Sequence, residues 1–162
     1  QFADRAPHYL SSGEKKRVAI ADIIAMHPEI FIFDEPTAAL DPASSQMLEG
    51  VLDRLSDEGR TIVVSTHDVN FAYRWADRII VFKDGKIIAQ GTPDEIFRNR
   101  EVLEAANLHE PTLMTVTDHL KSAGLIPESS DNPRSVEAFV RMTKELTALS
   151  EKTTDTGVEQ SA

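Results

Sequence analysis

Cysteine is absent from the 162 residues, which excludes a disulfide framework and a thiolate metal site and fits a reducing compartment. Long hydrophobic runs are absent too. No apolar stretch is long enough to span a bilayer and the amino terminus carries no signal-peptide pattern, so the expected location is cytoplasmic, with docking on a membrane protein still open. Basic residues are outnumbered, 17 Lys and Arg against 27 Asp and Glu, for a formal net charge of -10. The one basic cluster, Lys15-Lys16-Arg17, is too short for a phosphate-neutralising surface, so no nucleic-acid partner is expected. The five histidines, His8, His27, His67, His109 and His119, are scattered without the close pairing of a zinc or nickel site. Aromatic side chains make up only 6%, and Trp75 and the phenylalanines fall at core-like positions, which suits packing better than base stacking.

Against these absences stands one dense segment, Ile30-Phe31-Ile32-Phe33-Asp34-Glu35-Pro36. A short β-branched and aromatic run reads as a strand buried on both faces, and acids at its carboxyl end lie where open α/β sheets bind ligands. Setting two carboxylates beside an apolar strand is costly unless a cation or a hydrogen-bonding substrate compensates them. Taken alone, the pair is equally compatible with a solvated acidic turn.

The surrounding elements are legible from caps and periodicity. Ser11 and Glu14 have capping-box spacing, and Val18, Ala21, Ile24 and Ala25 recur at helical intervals, giving a helix from about Gly13 to Met26 that His27-Pro28 ends. Asp41-Pro42 opens a second helix with Met47, Leu48, Val51, Leu52 and Leu55 on one face, stopped by Gly59. The strand Thr61 to Ser65 follows, and strand, helix, strand in that order describes a crossover in a parallel sheet. Asp68 caps a short helix carrying Phe71, Ala72 and Trp75. Asp84-Gly85 between Ile79–Lys83 and Lys86–Gln90 is a hairpin signal, and Thr92-Pro93-Asp94-Glu95 opens another helix. Residues 109–150 read as a small helical appendage whose core stripe is Val136, Phe139, Val140, Thr143, Leu146 and Leu149, and residues 151–162 as a disordered tail. The opening residues Gln1 to Asp4 carry no helix or strand start signal, as expected for the later part of something longer.

Three further segments sharpen the acidic pair: Leu10-Ser11-Ser12-Gly13-Glu14-Lys15-Lys16-Arg17, Ala39-Leu40-Asp41-Pro42 and Ser65-Thr66-His67-Asp68. With the acidic strand, in this order and spacing, they resemble the signature sequence, Walker B strand, D-loop and switch histidine of an ATP-binding-cassette (ABC) ATPase. The resemblance covers about residues 4–108, and Asp4-Arg5-Ala6-Pro7-His8 is similar to the cobalt and nickel energy-coupling-factor branch. It implies an α/β fold of P-loop NTPase type, a parallel sheet with flanking helices whose amino-terminal part is missing, with residues 1–108 as the carboxyl-terminal part of the nucleotide-binding domain. It implies ATP and magnesium as ligands. Asp34 would hold the metal through its water shell, Glu35 would act as general base or water-positioner, and His67 would reach the γ-phosphate. Ser11, Ser12, Gly13 and Glu14 at a helix amino terminus would contact nucleotide bound to the opposite subunit, and Asp41 would lie across the dimer interface. The Ser11 to Glu14 segment is also readable as a simple capping box and Asp41 as a simple N-cap, and both readings can hold together.

The implied partners are a second ATPase subunit, identical or not, and integral membrane transporter subunits, with the chain peripheral on the cytoplasmic face of the cell membrane. The departures are informative. Ser12 stands where the family has Gly and Glu14 where it has Gln, reducing backbone freedom and adding a negative charge near a phosphate. No Gly-x-x-x-x-Gly-Lys loop occurs, nor the glutamine loop that meets the membrane subunit, so this polypeptide alone is expected to lack turnover. Two functions follow: part of an importer ATPase for a small solute such as cobalt or nickel, or a non-catalytic interaction module that donates its signature surface to another ATPase chain. A chromosome-maintenance ATPase is disfavoured, since no long heptad segment or basic surface is present.

Overall fold

A computed structural model describes residues 7–38 and 40–155 and divides the chain into two compact units, Gln1–His67 and Asp68–Ala162. In the first, a single 3-10 turn, Pro7–Tyr9, precedes helix α1, Ser12–Ala25. Ser11 caps α1 with both halves of the capping box: Glu14 N donates to Ser11 Oγ at 3.2 Å and Ser11 N donates to Glu14 Oε2 at 2.8 Å. The helix ends at Met26, and His27 turns into the left-handed region at φ 51° ahead of Pro28. Strand β1, Ile30–Asp34, and strand β2, Thr61–Ser65, pair in parallel, with Ile30 opposite Thr61 and Asp34 opposite Ser65. Helix α2, Pro42–Asp57, makes the connection. Asp41 is its N-cap, Pro42 its first residue, and Gly59 at φ 77° lies just beyond its end.

The burial of β1 corrects the sequence reading. Phe31 and Phe33 are buried and stack 6.0 Å apart, whereas Ile30 and Ile32 are exposed, Ile32 by 76%. Side chains alternate between the two faces of a strand, and among the described residues only one face of this two-stranded sheet is covered. Helix α2 contributes Leu48, Leu52 and Leu55, each buried and worth about 1.5–3 kcal/mol relative to exposure. Helix α2 lies against β2.

The second unit begins with α3, Val69–Trp75, capped by Asp68, whose Oδ1 accepts from Asn70 N and Phe71 N. Strands β3, Ile79–Lys83, and β4, Lys86–Gly91, form the expected antiparallel hairpin. Its Asp84-Gly85 turn has φ positive at both residues, 48° and 73°, the requirement of a type I′ turn. Helix α4, Pro93–Phe97, starts with a Thr92–Glu95 capping box; α5, Arg100–Ala106, α6, Thr112–Ser122, and α7, Val136–Asp155, follow. The core gathers Val69, Tyr73, Phe97, Leu103 and Met114. Burial, with Asp94 nearby, pushes the Tyr73 phenol up to about 12.

Residues 109–150 are expected from sequence to form an appendage of their own, but Met114 of α6 shares the core of α3 to α5, and Thr112 N donates to Asn70 Oδ1 at 2.8 Å. Arg134 donates from Nε to the Tyr73 carbonyl at 2.7 Å and from Nη2 to that of Ala76, meeting the orphan carbonyls at the end of α3. Of the stripe on α7, Val136 is 62% exposed and Val140 also lies open, while Phe139, Thr143 and Leu146 are half-buried and the side chain of Leu149 lies outside the described residues. Phe82 is likewise exposed, against its core-like position in sequence. Helix α7 runs on through Asp155, past Glu151 where a disordered tail is expected, and residues 156–162 lie outside the described residues. So do Asp4, Arg5 and Ala6 of the branch-specific segment, and Ala39. Among the described residues no helix is long and apolar enough to cross a membrane.

Candidate functional site

Parallel strands of equal length that start together also end together, so β1 and β2 deliver Asp34, Glu35, Ser65, Thr66 and His67 to one edge. Ser65 Oγ donates to Asp34 Oδ1 across the last register pair. Glu35 N continues the ladder by donating to the Ser65 carbonyl at 3.0 Å, and the chain then turns at Glu35 itself, with φ at 43°. A left-handed conformation is uncommon for a residue with a side chain and persists only where its surroundings hold it. The turn swings the carboxylate toward the end of β2. Glu35 Oε1 accepts from His67 N at 3.0 Å and lies 2.7 Å from His67 Nδ1, while Thr66 Oγ1 reaches Oε2 at 3.5 Å, the edge of hydrogen-bonding range. A contact of 2.7 Å is the length of a charge-assisted bond.

Neither acid is sequestered. Asp34 is exposed, and the Glu35 side chain retains 35% exposure and that of His67 84%. Hydrogen bonds and backbone geometry, not burial, define the cluster. For a metal, the donor set is one exposed carboxylate beside a hydroxyl, and among the described residues no group of three or more His, Cys, Asp or Glu could hold an ion. That set fits magnesium, which keeps several waters and is held by one or two carboxylates plus substrate phosphates, and does not fit a protein-only cage.

Ser11, Ser12, Gly13 and Glu14 form a separate group at the start of α1, where backbone amides meet the positive end of the helix dipole. A Cβ on Gly13 would meet only Leu40 Cδ2, at an ordinary 3.6 Å, so packing within the unit does not demand glycine there. Asp41 forms a third group. Its Oδ1 accepts from Ser44 N at 2.9 Å and its Oδ2 from Ser44 Oγ at 2.6 Å, while Arg17 donates to the same Ser44 Oγ at 2.7 Å. The Ser44 hydroxyl, then its backbone amide, holds the Asp41 carboxyl below its ordinary value.

Sequence reasoning assigned no individual role to Ser65, Lys16 or Arg17, which it named only within longer segments, and did not name Ser44. Ser65 had a readable signal, since it ends the partner strand opposite Asp34. Lys16 had none: its Nζ donates to the carbonyls of Glu35 at 2.8 Å and Ala38 at 3.2 Å, 19 and 22 residues away.

The chain is similar to known transporter proteins in sequence and in fold. The ABC transporter family model matches residues 1–38. The energy-coupling factor transporter ATP-binding protein EcfA2 of Methanospirillum hungatei is 49% identical over 141 residues, covering 87% of this chain and 35% of that protein. EcfA of Methanothermobacter thermautotrophicus is 47% identical over 123 residues, 76% of this chain and 40% of its own. Among solved structures, CbiO1 of Clostridium perfringens, part of the ABC transporter complex CbiONQ, superposes with a TM-score of 0.53 at 38% identity over 74% of this chain and 46% of that one. The ATP-binding cassette MJ0796, a dimer in a post-hydrolysis state bound to ADP and Pi, gives 0.53 at 41% identity over 57% and 40%. Over most of its length the chain is similar to ABC transporter ATP-binding proteins, and it has the P-loop NTPase type of α/β fold. Several relatives are named energy-coupling factor transporter ATP-binding proteins and others putative ABC transporter ATP-binding proteins, and the chain spans about a third to a half of the length of the curated relatives it matches.

Proposed function

We propose that the chain supplies the hydrolytic side of an ATP site in an importer ATPase of energy-coupling-factor type. The observation that carries this reading is the Glu35 carboxylate held 2.7 Å from the His67 ring at the carboxyl ends of two parallel strands. A carboxylate fixed by a backbone amide and an imidazole is pre-oriented to align a water and accept its proton, and the exposed imidazole would meet the terminal phosphate. Asp34, steadied by Ser65, would hold magnesium through water. The ion, when bound, neutralises charge on the transferring phosphate. The amides of Ser12, Gly13 and Glu14, with the Ser11 hydroxyl, would bind the phosphate of a nucleotide carried by a second ATPase subunit, and Asp41 would lie in that dimer interface. The whole assembly would dock on integral membrane subunits at the cytoplasmic face. A small solute is the cargo, with cobalt and nickel ions the first to test, as residues 4–8 suggest.

The sequence contains no Gly-x-x-x-x-Gly-Lys loop, the observation that favours the second reading, an interaction module lending its signature surface to another ATPase. Both are tested by fusing the chain behind the phosphate-loop half of the Methanospirillum hungatei relative. The fusion should hydrolyse ATP, and Glu35→Gln should cut kcat by about 10²- to 10⁴-fold, the usual worth of a general base. Turnover that ignores Glu35→Gln would abandon the first reading for the second.

A further inference from the structure

We propose that Lys16 is a positioning residue for Glu35, so that the alignment of Glu35 with His67 depends on where helix α1 sits. Glu35 occupies a left-handed conformation, φ 43°, with no glycine to relax it and no helix or strand continuing through it. Something has to hold that turn. Beside the bonds of its carboxylate to Thr66 and His67, its backbone makes two to other backbone groups: Glu35 N donates to Ser65, and Ala38 N donates to the Glu35 carbonyl at 3.2 Å. Lys16 adds an ammonium that reaches in from α1, donating to the Glu35 carbonyl at 2.8 Å and to the Ala38 carbonyl at 3.2 Å. It thereby bridges the first and last residues of the turn, and a charged donor makes each bond stronger than a neutral one. Rotating the Glu35 peptide out of this conformation would carry its carbonyl away from Nζ and its carboxylate away from His67.

The origin of the clamp matters as much as its target. Lys16 lies four residues beyond Ser12, about 6 Å along the helix axis from the amino terminus that carries the anion site. The next residue, Arg17, donates to Ser44 Oγ, which also holds the Asp41 carboxylate. One rigid helix therefore grips the segment between Glu35 and Ser44 near both of its ends. A phosphate drawn to the start of α1 would act, through Lys16, on the same chain's own Glu35. This coupling rests on the functional reading above; the clamp itself does not.

The test uses the chain as it stands, labelled with 15N, at pH about 8.5, where a free imidazole is neutral. The His67 ring resonances, assigned by comparison with His67→Gln, should show the tautomer protonated at Nδ1, since that nitrogen faces the Glu35 carboxylate. Lys16→Met keeps the aliphatic stem and removes the donors, and should return His67 to the Nε2-protonated form of a free ring; Lys16→Arg, which still offers N–H donors, should retain the Nδ1 form. Should Lys16→Met fail to fold, Lys16→Leu, also without donors, should shift the tautomer in the same direction. A folded Lys16→Met or Lys16→Leu variant with the wild-type His67 signature overturns the role of Lys16 and leaves the Glu35–His67 pair standing. A wild-type chain without that signature removes the pair, and with it both the clamp and the functional reading. In the fusion that carries a phosphate loop, Lys16→Met should lower kcat roughly 10- to 100-fold with KM for ATP unchanged, the pattern of misalignment without lost binding.

Discussion

The two compact units are held together by different means. In residues 68–155 the elements are gathered on a shared apolar core: Val69, Tyr73, Phe97, Leu103 and Met114 close it, with Tyr73 and Phe97 meeting edge to face at 6.0 Å. In the unit ending at His67, Phe31, Phe33, Leu48, Leu52 and Leu55 are buried, yet Ile30, Ile32 and Val63 are exposed on the sheet. There the loop after β1 is held by charged and polar side chains, through Lys16, Arg17, Ser44 and Asp41. The proposed chemistry belongs to the polar unit. Loops carrying function are set by hydrogen bonds that can be remade when a ligand arrives, while well-packed cores have few alternative arrangements.

The largest expected effects separate the units. Glu35→Gln, which should cut turnover of the fusion by about 10²- to 10⁴-fold, should leave thermal stability nearly unchanged, because that side chain is partly exposed and adds little packing. Phe97→Ala should do the reverse. Phe97 is 2% exposed in the second core, and its truncation should cost about 3–5 kcal/mol, read by denaturant unfolding with Trp75, the only tryptophan and a resident of α3 in that unit, as the probe. A Trp75 transition that Phe97→Ala leaves in place would show that this core does not carry the second unit, and the contrast would fail.

Much of this architecture was legible in the sequence wherever the determinant was local. Ser11 with Glu14, Asp41 with Pro42, Asp84 with Gly85, and Thr92 with Glu95 each interact within a few residues, and each produced the expected cap or turn. The positions of Asp34, Glu35 and His67 at strand ends were recognisable because apolar runs stop there, while their proposed roles came from the resemblance of the surrounding segments. The conformation of Glu35 was not legible, since a left-handed turn at a glutamate depends on partners far along the chain. The burial of β1 was misread for a related reason: an unbroken apolar run says that both faces favour cover, whereas exposure depends on which elements are present to cover them. The α7 stripe shows the same limit, with Val136 and Val140 placed at helical spacing yet exposed.

A smaller effect follows from that uncovered face. Ile32, 76% exposed between Ile30 and Val63, gives the first unit an apolar surface that the isolated chain should bury by self-association. Ile32→Lys should raise the monomer fraction in sedimentation at matched concentration. Its effect on unfolding free energy should stay within about 0.5 kcal/mol, as for other exposed positions. A wild-type chain that is already a monodisperse, thermally stable monomer would contradict the expectation and make the sheet face tolerable as it is.

The smallest expected effect concerns pH and tests whether polar bonds do hold the first unit. Asp41 is held below its ordinary carboxyl value of 3.8, chiefly by the Ser44 hydroxyl and next by the Ser44 amide. A carboxyl whose folded value is depressed binds fewer protons folded than unfolded around that pH. Its contribution is therefore complete above 3.8 and disappears as pH falls through the lower folded value. Asp41→Asn removes the ionised acceptor of both bonds, so it should destabilise the chain at neutral pH, with the gap to wild type closing as pH drops below 3.8. Ser44→Ala, which removes the stronger of the two contacts to Asp41 together with the acceptor of Arg17 but leaves the Ser44 amide, should show a gap to wild type at neutral pH that also shrinks, by less, as pH drops. Thermal unfolding of the three proteins across that range decides the matter: a gap independent of pH would mean that Asp41 acts by its shape at the start of α2, and that charge contributes nothing to the grip of α1 on this loop.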